Sequence, residues 1–445
     1  MTKILIIFNI LALWFSGIST PYGTYSVLIP KNIEYYTSSA ATTTVIPAKD
    51  LVFSAEKAVD TSNRETEFLI LNSVIYTIAF DSLNLEEKNQ QYNKYSIYQW
   101  ANEFDIETVQ ENPTTMGFTR QDFQYVVQTI LNHPEVYQQM FIIDIDNEQP
   151  GNVEATNHVI YTTIEYGDEL IIAFKGTAGV VEWLDNGHGA ELTVTDTPQQ
   201  ERALAYFDRV FPLYGEGKTI YLTGYSKGGN KAQYVGTLRG TYIEHVYAYN
   251  AQGFSGAFCE KYKQEIEAHS DKFTNICNDW DFVSTLLNPI AKERRYVLAY
   301  ATPKPADDTS TFDKALGVFL ANTHAAYSLF APPDENDNLV LSQTALRPSF
   351  FMEKIHGFMS YAEKKMSEED WHFFIYSILS FMNPKVKTEI KNTANLTLPD
   401  DFQERFVIHV TDYLQYPGLS DDTVRTVLTR LVDLIPFGTY AKIPN

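Results

Sequence analysis

Cysteine is scarce in this sequence of 445 residues: Cys259 and Cys277 are the whole complement, and neither belongs to a C-x-x-C pair. The spacing excludes the usual cysteine-based zinc and redox motifs, so we predict no metal site and no cofactor. Both cysteines fall in the segment that links the predicted strand at 245–249 to the next strand, which makes a local disulfide plausible. One local disulfide and two buried free thiols are equally open, because sequence does not fix the distance between the two residues.

Basic residues are also in short supply, with 34 Lys and Arg against 56 Asp and Glu and a formal net charge of −22. This balance argues against nucleic acid or an anionic membrane surface as an electrostatic partner. Internal repeats are missing, and past the N-terminus no apolar run reaches the roughly 20 residues of a membrane-spanning helix. A globular protein with a large core is the expected class, and its oligomeric state stays open.

The N-terminus carries the one long apolar run. Lys3 precedes an apolar stretch over 4–15, and small residues spaced as in a cleavage site follow at Gly17 and Ser19. This pattern predicts a signal peptide over 1–19 and a secreted or otherwise exported protein, with an uncleaved N-terminal anchor as the alternative. Residues 20–50, rich in Thr, Ser and Tyr, are predicted to form a leader or linker.

The remaining sequence alternates between helical and β patterns. Helical spacing runs from 51 to about 141 and returns from about 349. Between them, β-rich runs at 158–164 and 169–174 flank a turn at 166–168, and further elements follow, namely a helix at 198–211 and strands at 219–222, 245–249, 273–276 and 296–300. Such alternation predicts an α/β fold with a mainly parallel sheet covered on both faces. We expect one domain over 51–348, including the N-terminal helices, and a C-terminal helical region over 349–445. An aromatic helix over 371–382 is expected to pack in a core, with peripheral contact with lipid as the alternative.

The stretch G-Y-S-K-G-G over 224–229 has the context of a nucleophile elbow, because it joins a predicted strand to a predicted helix. An elbow holds its serine, here Ser226, in a strained conformation at the tip of a sharp turn. Residues two before and two after the serine must be small, and Gly224 and Gly228 meet this need. The alternative is a structural glycine turn.

A serine hydroxyl needs a base to take its proton and an acid to orient that base. His324 lies beyond the last strong strand, where a loop can reach the carboxyl edge of the sheet, and His269 is the second candidate. For the acid, Asp281 closely follows the strand at 273–276 and is the first choice, ahead of Asp279. A turn or N-cap role is the alternative for either aspartate.

The negative oxygen of a tetrahedral intermediate needs hydrogen-bond donors. The backbone N–H of Lys227, the residue after the nucleophile, is one expected donor. The loop after the strand at 169–174 offers a second, since Gly176 allows close backbone approach and Thr177 carries both an N–H and a hydroxyl.

Five separate segments resemble the class 3 lipase family and its bacterial relatives with the elbow G-H-S-K-G-G-N. The segments, in chain order, are A-F-K-G-T at 173–177, G-Y-S-K-G-G-N at 224–230, N-A-Q-G-F at 250–254, D-F-V-S at 281–284 and H-A-A-Y-S at 324–328. This resemblance covers roughly 153–330. It implies an α/β-hydrolase fold, a catalytic triad of Ser226, Asp281 and His324, and an oxyanion hole formed by Thr177 and Lys227.

The activity implied by the resemblance is hydrolysis of carboxylic esters, with an acyl ester or lipid as substrate. Three departures stand out: Tyr225 replaces histidine, Lys175 replaces arginine, and the segment after Thr177 shows no clear amphipathic lid. Two other functions stay open. One is a catalytically weak or inactive binding or effector module acting through the helical tail, and the other is the same chemistry on a peptide or thioester.

Overall fold

The computed structural model describes residues 62–77, 80, 82–109, 119–147, 160–298, 323–382, 392, 396 and 399–414. The expected signal peptide over 1–19 and leader over 20–50 lie outside these residues, as does the start of the region from 51. Over the described ranges, no helix combines the length and the apolar character needed to cross a bilayer.

Eight strands form one sheet in which spatial order follows chain order. The strands are β1 (Met140–Asn147), β2 (Ile160–Tyr166), β3 (Glu169–Phe174), β4 (Thr219–Tyr225), β5 (His245–Tyr249), β6 (Phe273–Asn278), β7 (Glu293–Val297) and β8 (Thr344–Ala345). β3 to β7 are parallel, whereas β1, β2 and β8 pair in antiparallel fashion at the edges. The predicted α/β class with a mainly parallel sheet is confirmed.

Helices precede the sheet, alternate with its strands and follow it. They are α1 (Ser62–Val74), α2 (Leu85–Tyr92), α3 (Ile97–Glu103), α4 (Arg120–Asn132), α5 (Pro134–Tyr137), α6 (Val180–His188), α7 (Pro198–Tyr214), α8 (Lys227–Arg239), α9 (Gly256–Lys261), α10 (Lys263–His269), α11 (Phe350–Lys365), α12 (Glu368–Met382) and α13 (Phe402–Leu414). Side-chain hydrogen bonds cap the first turns of several helices. At the start of α7, the Thr197 hydroxyl accepts a hydrogen bond from the Gln200 N–H.

The two faces of the sheet carry separate apolar cores, because successive side chains of a strand point to opposite faces. On β3, Ile171 and Ala173 join the buried side chains of α1, α3 and α4. Ile172 and Phe174 instead join those of α7 and α8 on the other face. The helix that follows Ser226 is therefore packed on one face and the N-terminal helices on the other, leaving the carboxyl edge of the parallel strands for the site.

A third core, here called the C-terminal cluster, gathers the aromatic side chains of α11, α12 and α13 and contacts α6 and the loop after β6. Its buried members include Phe282, Phe358, Trp371, Phe374, Phe406 and Tyr413. Arg405 of α13 forms an ion pair with Asp370 of α12, with N–O distances of 2.8 and 2.7 Å. The aromatic helix expected over 371–382 thus buries its described side chains against other parts of the protein, apart from the partly exposed His372.

The helical region expected to run to about 141 ends earlier, because α5 stops at Tyr137 and the strand β1, which the sequence pattern does not predict, begins at Met140. The two aspartates of this strand face arginines of α7. Asp144 accepts two hydrogen bonds from Arg209, at 2.9 and 2.7 Å, and Asp146 accepts one from Arg202 at 3.1 Å. Aspartate is unfavourable in strands, and the ion pairs with α7 compensate the two aspartates of β1.

Both cysteines are free thiols. Cys277 is buried in β6, and Cys259 lies in α9. Burial raises the pKa of Cys259 to about 11 and that of Cys277 to about 12. Of the two alternatives, free thiols are the one found, and neither thiol has the depressed pKa of a reactive cysteine.

Candidate active site

Ser226 occupies the sharp turn between β4 and α8 with φ 56° and ψ −124°, a strained conformation for a residue with a side chain. Its N–H donates to the Tyr249 carbonyl oxygen of β5 at 2.8 Å. A Cβ added at Gly224 would overlap the backbone of Gly228, and one added at Gly228 would overlap the Phe174 carbonyl oxygen. The two glycines let β3, β4 and α8 approach, as the elbow pattern predicts.

His324 lies between Ser226 and Asp281. Its Nε2 is 3.0 Å from Ser226 Oγ, and its Nδ1 is 2.8 Å from Asp281 Oδ1. With the imidazole proton on Nδ1, the ring donates to the carboxylate and accepts from the serine hydroxyl. The three side chains, which are far apart in the chain, form one hydrogen-bonded relay.

Asp281 is 1% exposed, and its carboxylate also accepts from two backbone N–H groups. These belong to Val283, at 3.2 Å, and Ser284, at 2.7 Å. The other candidate, Asp279, sits two residues earlier, where its N–H donates to the Val297 carbonyl oxygen of β7. Of the two aspartates, Asp281 is the one hydrogen-bonded to His324.

His269, the second candidate base, lies at the end of α10 and packs against Gly240, next to the amino end of β5. The serine is at the carboxyl end of β4. The structure therefore does not bring His269 to Ser226, because the two residues occupy opposite edges of a parallel sheet.

The backbone of His324 is held by residues that sequence reasoning did not assign to the site. The Tyr225 hydroxyl and the Asn250 amide, the latter at 3.1 Å, both donate to the His324 carbonyl oxygen. The Tyr225 ring also stacks on the His324 imidazole, with centroids 5.3 Å apart and an interplanar angle of 28°. Burial raises the pKa of Tyr225 well above its usual range, so the hydroxyl keeps its proton and remains a donor.

A second polar contact supports the short helix at 326–329 that follows His324. The Asn278 amide, at the end of β6, donates to Ser328 Oγ at 2.8 Å, and Ser328 Oγ donates to the Ala325 carbonyl oxygen at 2.7 Å. Asn250 and Ser328 both lie in the segments that resemble the lipase pattern. Their place in those segments is the sequence feature that could have indicated that they support His324 and the short helix after it.

The loop after β3 lies beside the elbow, and its Thr177 hydroxyl accepts a hydrogen bond from the Asn186 amide at 2.8 Å. Glu182, also on α6, accepts from the N–H groups of Ala178 and Gly179, both at 2.6 Å. The segment after Thr177, expected to show no clear amphipathic lid, is thus the helix α6. Its polar residues hold the loop, and its apolar residues contact the C-terminal cluster.

Tyr76, just after α1, closes the other side of this loop. A Cβ added at Gly176 would overlap the Tyr76 hydroxyl, so the close approach requires glycine. The Tyr76 ring meets the Tyr225 ring edge to face, with centroids 5.9 Å apart. Tyr76 was not singled out from the sequence, because it lies in an apolar helical pattern that predicts only packing.

Over the described ranges, no group of three or more His, Cys, Asp or Glu side chains is arranged to hold a metal ion.

Residues 133–300 match the model of the Mbeg1-like family. The match runs from the end of α4 past β7 and so includes the elbow and Asp281. It spans less than half of the chain, and together with the parallel sheet it supports a lipase-like α/β-hydrolase relationship. The finer subgroup with the G-H-S-K-G-G-N elbow stays a prediction.

The chain has no match among curated proteins. Among solved structures it is similar to the Lip2 lipase from Yarrowia lipolytica, at 11% identity over 48% of this chain and 76% of the lipase, with a TM-score of 0.27. A similarity of this size carries no argument about substrate.

Proposed function

We propose that the chain is an exported serine carboxylic ester hydrolase, of lipase, phospholipase or esterase type, that acts through an acyl-enzyme intermediate. The observation that carries the proposal is His324 within hydrogen-bond distance of both Ser226 Oγ and Asp281 Oδ1. The strained serine and the two glycines that permit the elbow add support. Export rests on the sequence pattern over 1–19, and the acyl ester or lipid substrate rests on the resemblance to lipases.

In the proposed reaction, Ser226 Oγ attacks the ester carbonyl carbon while His324 Nε2 takes the hydroxyl proton. Asp281 stabilises the imidazolium that forms. The carbonyl oxygen becomes an oxyanion, which the N–H of Lys227 and the N–H or hydroxyl of Thr177 stabilise. The C–O bond then breaks, and His324 returns the proton to the departing alcohol. Water, deprotonated by His324, attacks the acyl-serine in the same way and releases the carboxylic acid.

Lys227 suits the oxyanion role because it is the first residue of α8. The first N–H groups of a helix have no acceptor inside that helix, and they lie at the positive end of the helix dipole. A negative charge that develops beside Ser226 is therefore stabilised there.

The test is labelling of the purified protein by a fluorophosphonate probe, with Ser226→Ala beside the wild type. We expect the wild type alone to be labelled, and esters to be turned over faster than matched amides and thioesters. A panel of acyl chain lengths and of glyceride and phospholipid head groups then defines the substrate. Equal ester turnover by the folded Ser226→Ala protein would contradict the proposal, and failure of both proteins to label would favour the binding or effector alternative.

A further inference from the structure

The residue after the proposed nucleophile carries a buried charge. Lys227 Nζ is 2.9 Å from Asp185 Oδ2, and the two side chains are 0% and 5% exposed. The Asp185 carboxylate also accepts from the Thr197 hydroxyl at 2.8 Å and from the Gln199 N–H at 3.2 Å. Burial alone would raise the pKa of Asp185, but the neighbouring ammonium and these donors lower it overall. The Asp185 carboxylate is therefore charged, and contacts with Lys227, Thr197 and Gln199 hold it in place.

A buried ion pair of this kind is an energetically unfavourable way to fill the interior of a fold. An ammonium group has three N–H donors, and within the described part of the chain Lys227 Nζ forms this ion pair but no well-aligned hydrogen bond. Taking two charges out of water costs more than a single contact of this kind usually returns, and apolar side chains of similar size commonly stabilise a fold better. Stability alone therefore does not explain why a lysine and an aspartate occupy these positions.

The positions of the two residues indicate another role. The Lys227 backbone supplies one proposed oxyanion donor. Asp185 lies on α6, where its neighbour Asn186 donates to the Thr177 hydroxyl and Glu182 caps the start of the helix by accepting from the loop. The ion pair thus joins the elbow to the helix that holds the opposite side of the proposed oxyanion hole.

We propose that the Lys227–Asp185 ion pair is a positioning device that sets the separation between the two halves of the oxyanion hole. The inference rests on the proposed hydrolase function. Both residues act through the backbone and through α6, and neither charged group touches the substrate. Because an oxyanion donor acts only when it lies at hydrogen-bond distance from the developing charge, a small change in separation slows the chemical step while substrate binding is retained.

The experiment removes both charges and keeps both shapes, in the variant Lys227→Met with Asp185→Asn. The Lys227 N–H is preserved, and Asn still offers an oxygen to the Thr197 hydroxyl. We expect kcat for the best ester of the panel to fall roughly 100-fold with KM unchanged, as on loss of one oxyanion donor. Thermal unfolding of the same sample establishes that the variant is folded. Should the double variant fail to fold, Lys227→Met alone carries the same expectation, because the Asp185 carboxylate keeps its two hydrogen-bond donors.

A matched control removes the Arg405–Asp370 pair by Arg405→Met with Asp370→Asn. These residues join α12 to α13, so the control changes stability and leaves kcat at the wild-type value. A folded Lys227→Met, Asp185→Asn variant with wild-type kcat would overturn the positioning role while leaving the hydrolase proposal intact. A raised KM with unchanged kcat would also overturn it. Absence of turnover and of Ser226 labelling in the wild type would instead defeat the proposed function itself.

Discussion

The Tyr225 ring lies against the His324 imidazole, with centroids 5.3 Å apart, and its hydroxyl donates to the His324 carbonyl oxygen. One side chain thereby contacts both the ring and the backbone of the same histidine. The ring face presents its negative quadrupole to the imidazole, which carries a positive charge in the proposed transition state. Tyrosine, at a position where the relatives with the G-H-S-K-G-G-N elbow have histidine, therefore supports the proposed base through both its ring and its hydroxyl.

Replacing Tyr225 tests this contact. We expect Tyr225→Phe to lower kcat/KM by about fivefold, the effect of one neutral hydrogen bond, because Asn250 still donates to the same carbonyl. Tyr225→Leu removes ring and hydroxyl and should lower kcat/KM roughly 100-fold through misplacement of the base. Equal effects of the two substitutions would show that the ring face contributes nothing.

The choice between the two candidate acids gives a second prediction. An amide at position 281 favours the tautomer of His324 that carries its proton on Nε2, and that tautomer cannot accept the serine proton. We expect Asp281→Asn to lower kcat roughly 10⁴-fold. Asp279→Asn is the matched control two residues away and should keep wild-type kcat. Comparable losses in both variants would indicate damage to the loop after β6 rather than to the relay.

The features that can be predicted from the sequence are those that depend on neighbouring residues of the chain. The elbow and the strands over 169–174 and 245–249 follow from local spacing and composition, and the structure gives both strands these bounds. The side chains that hold the backbone of His324, namely Tyr225 and Asn250, and the buried partner of Lys227 did not follow. Tyr225 and His324 are 99 residues apart, and only the folded sheet brings the end of β4 to the loop that carries the histidine.

The strand β1 was missed for a related reason. Its aspartates contradict strand propensity locally, and the arginines that compensate them lie on α7, more than fifty residues later. Ion pairs that form only in the folded protein therefore stabilise a strand that the local composition does not predict.

Lys231, one helical turn after Lys227, gives a prediction about stability and pH. It is buried, its Nζ donates to the Lys175 carbonyl oxygen at 3.2 Å, and burial lowers its pKa from 10.5 to about 8. Between pH 8 and 10.5 the unfolded chain retains a proton that the folded chain has lost. Raising the pH across this range therefore increases the free energy of unfolding, by up to about 1.4 kcal/mol per pH unit from this group.

Lys231→Met removes that titration. Urea unfolding of the wild type and of the variant across pH 8 to 10.5 isolates the lysine, since all other groups are shared. We expect the difference in stability to favour the variant most at pH 8 and to shrink as pH rises. Parallel curves for the two proteins would mean that Lys231 keeps an ordinary pKa in the folded chain.

The packing of the helical tail on α6 supplies the last prediction. Gly187 of α6 faces the Tyr376 ring of α12, and a Cβ added there would overlap the ring. The Trp371 indole N–H donates to the Ala190 carbonyl oxygen at 2.7 Å, just after α6. Gly187→Ala should therefore destabilise the protein by about 1–3 kcal/mol, the usual cost of overpacking. With Tyr376→Ala already present, the clash is gone, and the same substitution should become neutral or favourable by up to about 1 kcal/mol, because Ala forms helix better than Gly. A cycle of denaturant unfolding on the four proteins measures the coupling.

Coupling near zero would mean that α12 does not pack on α6 in solution. The helical tail would then be free to engage a partner, as the binding or effector alternative requires.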